Sequence, residues 1–385
     1  SILIMGVRRF QKHLEWGTLW LICYMRVLLI SIVVATRGHT RWQNVYWTPE
    51  ICLQNYFMRK VPAGDFYTGR DMVVKYVICK DFFAPGDHVV VSGLEHNGVM
   101  RPLFHLCETG GISYAVARTS VTGEVTAKAV EEQIRPSTKL VLVLHASNVC
   151  GTILPIEEIG AVCRKHGVFF AVDTAQSAGT IPIDMQTCGI DFLAFTGHKG
   201  LKGPQGIGGF LISPKLNASV RPVIMGGTGS YSDLLSQPEE LPDKYESGTI
   251  NLPGIIGLHT ALSYLEETGI DAIRQKKDAL TRQFLAGVDG LDGVRIIGER
   301  TMENRTAVVS VDFPDQDNAL AAFRLEQEFG IMTRVGLHCA PLAHQSLGTF
   351  PKGTVRFSFS EVNTEAEIEI GIAAVKENRK KRIVE

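Results

Sequence analysis

At 385 residues with 45 % hydrophobic content, the chain is long enough for two domains and a substantial buried core. A net charge of −1 leaves no electrostatic footprint for nucleic acid, and the basic run at 379–382 (RKKR) reads as the solvated end of a last helix. The eight cysteines are scattered, with no CxxC pair and no Cys/His zinc spacing, which argues against a disulfide or metal framework and for a reducing, cytoplasmic setting.

In chain order, the first unusual feature is residues 19–35 (LWLICYMRVLLISIVVA), a dense apolar run after Arg8, Arg9 and Lys12. Its ten Leu, Ile and Val residues each favour insertion into a bilayer by about 0.3–0.6 kcal/mol, and Arg26 opposes it by about 2.5–3.5 kcal/mol. That balance sits close to zero, so hydropathy alone does not make it a span. From about residue 82 the text becomes regular α/β. Residues 87–92 (DHVVVS) read as a short strand and 139–145 (KLVLVLH) as a strand buried on both faces. Pro155 opens a helix over 156–166 that stops at Gly167. Residues 168–175 (VFFAVDTA), 191–196 (DFLAFT) and 209–212 predict three more strands. Strands alternating with helices predict a mostly parallel sheet covered on both faces. A long helical region over 254–291 follows. A strand (306–313), a helix (318–329), a strand (353–360) and a last helix from Asn363 then predict a smaller α+β unit.

The residues with chemistry lie between 173 and 199. Asp173 comes near the end of a buried strand, where ligands sit in open α/β sheets. A carboxylate there is costly unless it meets a cation. The protonated ring nitrogen of pyridoxal phosphate is such a cation, and the protonated ring is an electron sink. One strand later, Thr196-Gly197-His198-Lys199 puts a lysine at the neighbouring strand end, as a covalent bond to the same ring requires. Taken singly, such a lysine is more often solvated and such an aspartate more often a helix cap. The stretch 200–209 (GLKGPQGIGG) has no Gly-Lys-Ser/Thr opening a helix, so it is a close-approach turn rather than a phosphate-binding P-loop.

Five segments, HASNVCGTILPIEEI, AVDTAQSAGTIPIDM, DFLAFTGHKGLKGPQGIGGFLI, LPDKYESGTINLPGI and RVGLHCAPLAH, closely resemble the class V aminotransferase branch containing cysteine desulfurases and selenocysteine lyases. The resemblance runs from about residue 82 to the C-terminus. It implies a fold-type I pyridoxal-phosphate transferase, with a large cofactor-binding domain over 81–255 and a small domain over 256–385. It implies that Lys199 binds the cofactor covalently and that Asp173 pairs with the ring nitrogen. Gln176 and Asn148 would lie beside the ring oxygen, and Thr196 and His198 would hold the phosphate. His96 matches the histidine that stacks on the ring, although a histidine after a strand is otherwise most often a plain loop or core residue. Gly248 and Thr249 match a segment that reaches the partner subunit's phosphate, which implies a homodimer. Arg356 matches the arginine for the substrate carboxylate, a bidentate task suited to guanidinium.

Cys339 decides the implied reaction. Most free cysteines are inert small hydrophobes. Cys339 instead sits in a polar loop between Gly336 and Pro341, beside His338 and near His344, where positive charge would favour its reactive form. The family carries its sulfur-accepting cysteine in such a loop. The resemblance therefore implies that L-cysteine, or L-selenocysteine, is converted to alanine and that sulfur passes through Cys339 to a protein acceptor. The rivals are another class V aminotransferase or epimerase, which needs no cysteine at 339, a catalytically impaired homologue, and, from a different class, a catalytically dead scaffold or a membrane-anchored interaction protein.

Residues 1–80 depart from the family. The usual opening near the substrate is absent, and Asp71-Met72-Val73 stand where a threonine-bearing phosphate turn is expected. The expectation is that most of this segment is a misread or frameshifted N-terminus rather than a membrane anchor, leaving the chain short of one phosphate anchor and one substrate wall, with weak cofactor binding and impaired activity.

Overall fold

The structure is a computed structural model that describes the backbone of residues 64–67 and, in full, residues 81–380. The apolar run at 19–35, the basic residues before it and Met72 lie outside the described residues.

Seven strands make the first sheet: β1 (Gly64–Tyr67), β2 (His88–Ser92), β3 (Ser113–Ala117), β4 (Thr138–Leu144), β5 (Phe169–Asp173), β6 (Phe192–Thr196) and β7 (Gly208–Ile212), in the order β1-β7-β6-β5-β4-β2-β3. The run from β6 to β3 is parallel, whereas β7 and β1 pair antiparallel at the other edge. The parallel part follows from sequence, because β2 and β6 are buried at every position and β4 nearly so, as a sheet covered on both faces requires. Part of the divergent N-terminal segment thus supplies an edge strand.

The helices α1 (Asn97–Gly110), α2 (Ala127–Glu131) and α3 (Ile156–His166) connect these strands, and α4 (Pro214–Asn217) follows β7. Helix α3 shows how local sequence sets an element. Glu157 and Glu158 sit in its first turn and Arg164, Lys165 and His166 in its last, matching the helix dipole at both ends. Gly167, at φ 68°, ends it in the left-handed conformation, and Ile156, Ile159 and Cys163 form its buried stripe. The helical region expected over 254–291 is two helices, α5 (Leu252–Thr268) and α6 (Ile270–Val288), broken at Gly269 with φ 80°. Helix α1 and strand β3 were not legible from the sequence pattern.

The second sheet is antiparallel, with order β10 (Arg334–Gly336), β11 (Thr354–Ser358), β9 (Val308–Asp312) and β8 (Arg295–Ile297). Helices α6, α7 (Asn318–Phe329) and α9 (Glu365–Asn378) share a core with it that includes Phe284, Leu325, Phe357 and Ile372. Short helix α8 (Pro341–Ser346) follows β10. The two sheets are joined through the loop after β4. Arg305, only 1 % exposed, donates to the carbonyls of Cys150 and Val308. Ser310 Oγ donates to Val149 O at 2.6 Å and Thr306 N to Gly151 O at 2.8 Å. The loop carrying Asn148 is thereby clasped to β9.

Candidate active site

A cleft opens beyond the C-terminal ends of parallel strands β2, β4 and β5, lined by His96, Leu144, Ala146, Asn148, Asp173, Ala175 and Gln176. Four of the expected cofactor residues are therefore brought to one place. Asp173 is 4 % exposed, and its Oδ1 accepts from Ala175 N at 2.9 Å, so the carboxylate also braces its own turn. Asn148 donates from Nδ2 to His338 O at 2.8 Å, while its buried Oδ1 has no hydrogen-bond partner among the described residues. A buried acceptor left open in a cleft calls for a donor. His96 caps helix α1, its Nδ1 accepting from Gly98 N at 2.8 Å. An imidazole nitrogen that accepts is unprotonated, so the ring's proton is on Nε2.

Lys199 is half-buried in the turn after β6, the strand next to β5, with Asp173 opposite Ala194 in register. Two glycines bring this turn against the one after Asp173. A Cβ on Gly179 would lie 2.1 Å from Gly200 O, and one on Gly200 would lie 2.2 Å from Ala178 O. Only bare backbone fits this approach. Thr196 Oγ1 and His198 Nδ1 are hydrogen-bonded at 3.0 Å just before the lysine. Thr249 is not in this cleft; it is exposed on the loop before α5.

Cys339 lies at the junction of the two sheets. Among the described cysteines it alone is exposed. Burial pushes the Cys163 thiol up to about 12 and that of Cys188 to about 11, as inert core thiols should be. The backbone of His338 and Cys339 is left-handed at both residues, with φ 50° and 60°. Such a conformation costs on the order of 1–3 kcal/mol for each non-glycine residue and persists only where surroundings impose it. Here Asn97 N donates to Cys339 O at 2.8 Å and Asn148 Nδ2 to His338 O. His338 Nε2 lies 2.9 Å from Thr354 Oγ1 on β11, and His344 Nδ1 lies 2.7 Å from Thr349 Oγ1.

The histidines do not supply the positive charge expected of them. His338 is pushed down to about 2, by burial first and by Arg356 and other neighbours next, and His344 to about 4, chiefly by burial. Both are therefore neutral at ordinary pH. The charge comes from Arg334, whose Nη2 is 3.4 Å from Cys339 Sγ. Arg334 is the register partner of Arg356 across β10 and β11, so two guanidiniums stand side by side. Arg356 is pushed down to about 10 by burial, with Arg334 adding to the effect. Its Nη1 donates to Asn148 O at 2.9 Å and its buried Nε has no partner among the described residues. Like charges in direct cross-strand register destabilise a sheet unless an anion joins them.

Two contributors escaped the sequence reading. Arg334 was part of the loop motif without a role. Glu95, fully buried beside His96 and accepting from Leu144 N at 2.9 Å, carries no sequence signal beyond being an acidic residue three positions after a buried strand.

The aminotransferase class-V family model matches residues 69–370. A probable cysteine desulfurase from Methanothermobacter thermautotrophicus is 34 % identical over 292 residues, covering 75 % of this chain and 72 % of that protein. One from Pyrococcus abyssi is 34 % identical over 301 residues, covering 77 % of this chain and 73 % of that protein. The apo structure of a cysteine desulfurase from Thermococcus onnurineus NA1 superimposes with a TM-score of 0.81 at 30 % identity, covering 89 % of this chain and 87 % of that one. Pyridoxal phosphate is the cofactor of this family and fold. Family match, relatives and architecture agree, and the chain belongs to the aminotransferase class-V family, in the branch of the cysteine desulfurases.

Proposed function

We propose that the chain is a cysteine desulfurase that converts L-cysteine to L-alanine and takes the sulfur onto Cys339. The observation that carries this reading is the exposed Cys339 thiol, held beside Arg334 by a loop whose two carbonyls are bonded to Asn97 and Asn148, next to the cleft itself. An aminotransferase or epimerase of the same fold has no use for a thiol there.

The cleft fits the family's cofactor. A buried carboxylate, an open buried acceptor on Asn148, an imidazole with its proton on Nε2 and a lysine on the adjacent strand end match the groups of pyridoxal phosphate. In this reading Lys199 would bind it covalently, Asp173 would pair with its ring nitrogen and His96 would cover its face. Gln176 and Asn148 would lie at its ring oxygen, and Thr196 and His198 would hold its phosphate. When bound, the ring withdraws electrons from the substrate's Cα and so eases proton removal and C–S cleavage. Arg356 and Arg334 supply the positive charge that takes the substrate carboxylate, and their mutual repulsion is relieved by it. Lys199 moves the proton at Cα. The Cys339 thiolate attacks the substrate sulfur, forming an S–S bond as the C–S bond breaks, and the electron pair left on carbon is quenched by a proton to give alanine. The persulfide then passes to an acceptor thiol. Selenocysteine is a substrate by the same chemistry.

Thr249 faces outward, and the preceding segment exposes Met225, Tyr231, Leu234 and Leu235. An exposed apolar segment of this kind supports a second copy covering it, with Thr249 reaching the partner's phosphate. The test is the visible spectrum of the purified chain with added pyridoxal phosphate, followed by alanine and sulfide release from L-cysteine and by light scattering. A bound chromophore, stoichiometric alanine and a dimer mass are expected. No chromophore, or alanine formation that survives loss of Cys339, would overturn the reading.

A further inference from the structure

We propose that Glu95 is a positioning residue of this site: a fully buried acid that ties the ends of β2 and β4 together behind His96 with no cation facing it among the described residues. The inference rests on the reading of that cleft as the cofactor's.

Glu95 has no solvent exposure. One of its oxygens, Oε1, accepts from Ser92 Oγ at 2.5 Å and from Leu144 N at 2.9 Å, while Oε2 has no partner among the described residues. Ser92 ends β2, and Leu144 ends β4 opposite Asp173 in the parallel register. A single side chain therefore bridges two of the three strand ends that frame the cleft. The next residue is His96, which lines the cleft and caps α1. The turn is also where the thiol loop arrives, since Ser346 Oγ donates to Gly93 O and Asn97 N to Cys339 O.

The charged group facing Glu95 is Asp173 on β5, with His96 adjacent in the chain and the neutral Ser92 and Leu144 as donors. No cation faces it among these, so an ionised Glu95 would be a second buried negative charge beside the first. Two carboxyl groups so placed do not both ionise readily. Burial pushes Glu95 up to about 8, against the pull of its hydrogen bonds and with the help of Asp173. Its folded value lies above its unfolded one, so the stability it contributes is full below about 4.5 and is lost as pH rises toward about 8.

The experiment compares the full chain with Glu95→Gln and Glu95→Ala, without relying on turnover. Between pH 5 and pH 8 the folded-to-unfolded ratio of the wild type should fall by at least about a hundredfold relative to Glu95→Gln, which does not titrate. Hydrogen–deuterium exchange over residues 92–100 at pH 7 reads the turn itself. Glu95→Ala should speed it about tenfold or more, and Glu95→Gln should restore it to within about twofold of the wild type. Parallel stability profiles for wild type and Glu95→Gln would show an ionised Glu95 and overturn the proposal. Equal exchange in the alanine and glutamine variants would remove its positioning role. A chain that binds no pyridoxal phosphate sinks the functional reading but leaves both measurements readable.

Discussion

The cleft and the thiol loop are built in opposite ways. The cleft is framed by the ends of hydrogen-bonded parallel strands, so the spacing of Asp173 and Ala194 is set by sheet register before any side chain acts. The loop has no such frame. His338 and Cys339 adopt backbone angles that disfavour side chains, and bonds to Asn97, Asn148 and Thr354 hold them there. The lesson is a division of tolerance. Strand-end residues keep their geometry as long as the sheet folds, whereas the nucleophile depends on a few tertiary contacts between the two sheets.

The sharpest break of that comparison comes from removing one chemical group on each side. Lys199→Ala should lower alanine formation by at least about a thousandfold and abolish the cofactor linkage that borohydride makes permanent. A reduced adduct on Lys202 by mass spectrometry would show that the wrong lysine has been assigned. Cys339→Ser should lose at least about a hundredfold in sulfur transfer from cysteine while its cofactor spectrum stays that of the wild type. If both substitutions disturb the spectrum alike, the two regions are not separable.

A milder substitution tests the loop's dependence on tertiary contacts. Thr354→Val removes the partner of His338 Nε2 and leaves a buried ring nitrogen unsatisfied, a cost of about 1–3 kcal/mol. Concentrated on the loop, that cost should lower turnover by about tenfold with the cofactor spectrum and its affinity unchanged. Turnover equal to the wild type would mean that the left-handed turn is held by the Asn97 and Asn148 bonds alone.

Legibility in the sequence follows the same divide. Strands β4, β5 and β6 were readable because residues buried on both faces leave continuous apolar runs, and α3 because its caps and charges are local. Asp173 and Lys199 were readable as a pair because parallel order puts neighbouring strand ends together. The antiparallel pairing of β7 was not, since a short glycine-rich strand carries no directional signal. Helix α1 was hidden because its cap is a histidine rather than Ser, Thr, Asp or Asn, and because it contains Pro102. The charge beside Cys339 was misassigned for a related reason. Sequence gives the neighbours of a cysteine but not which of them turn inward, and His338 is 2 % exposed.

That misassignment yields the smallest and most specific effect. His338 and His344 lie below their ordinary value of 6.5 in the folded chain, so the stability they contribute is full above that pH and is lost as pH falls toward about 4 for His344 and about 2 for His338. Above pH 6 they remain neutral and add no charge at the sulfur. Arg334 touches Sγ at 3.4 Å. Arg334→Gln should therefore slow alkylation of Cys339 by iodoacetamide about threefold to tenfold, because it removes the cation in contact with Sγ. The ratio of wild-type to variant rates should stay level from pH 6 to pH 8, with no step near the imidazole value. A step there, or an unchanged rate in Arg334→Gln, would return the electrostatic role to the histidines and contradict the buried, neutral geometry on which the loop is built.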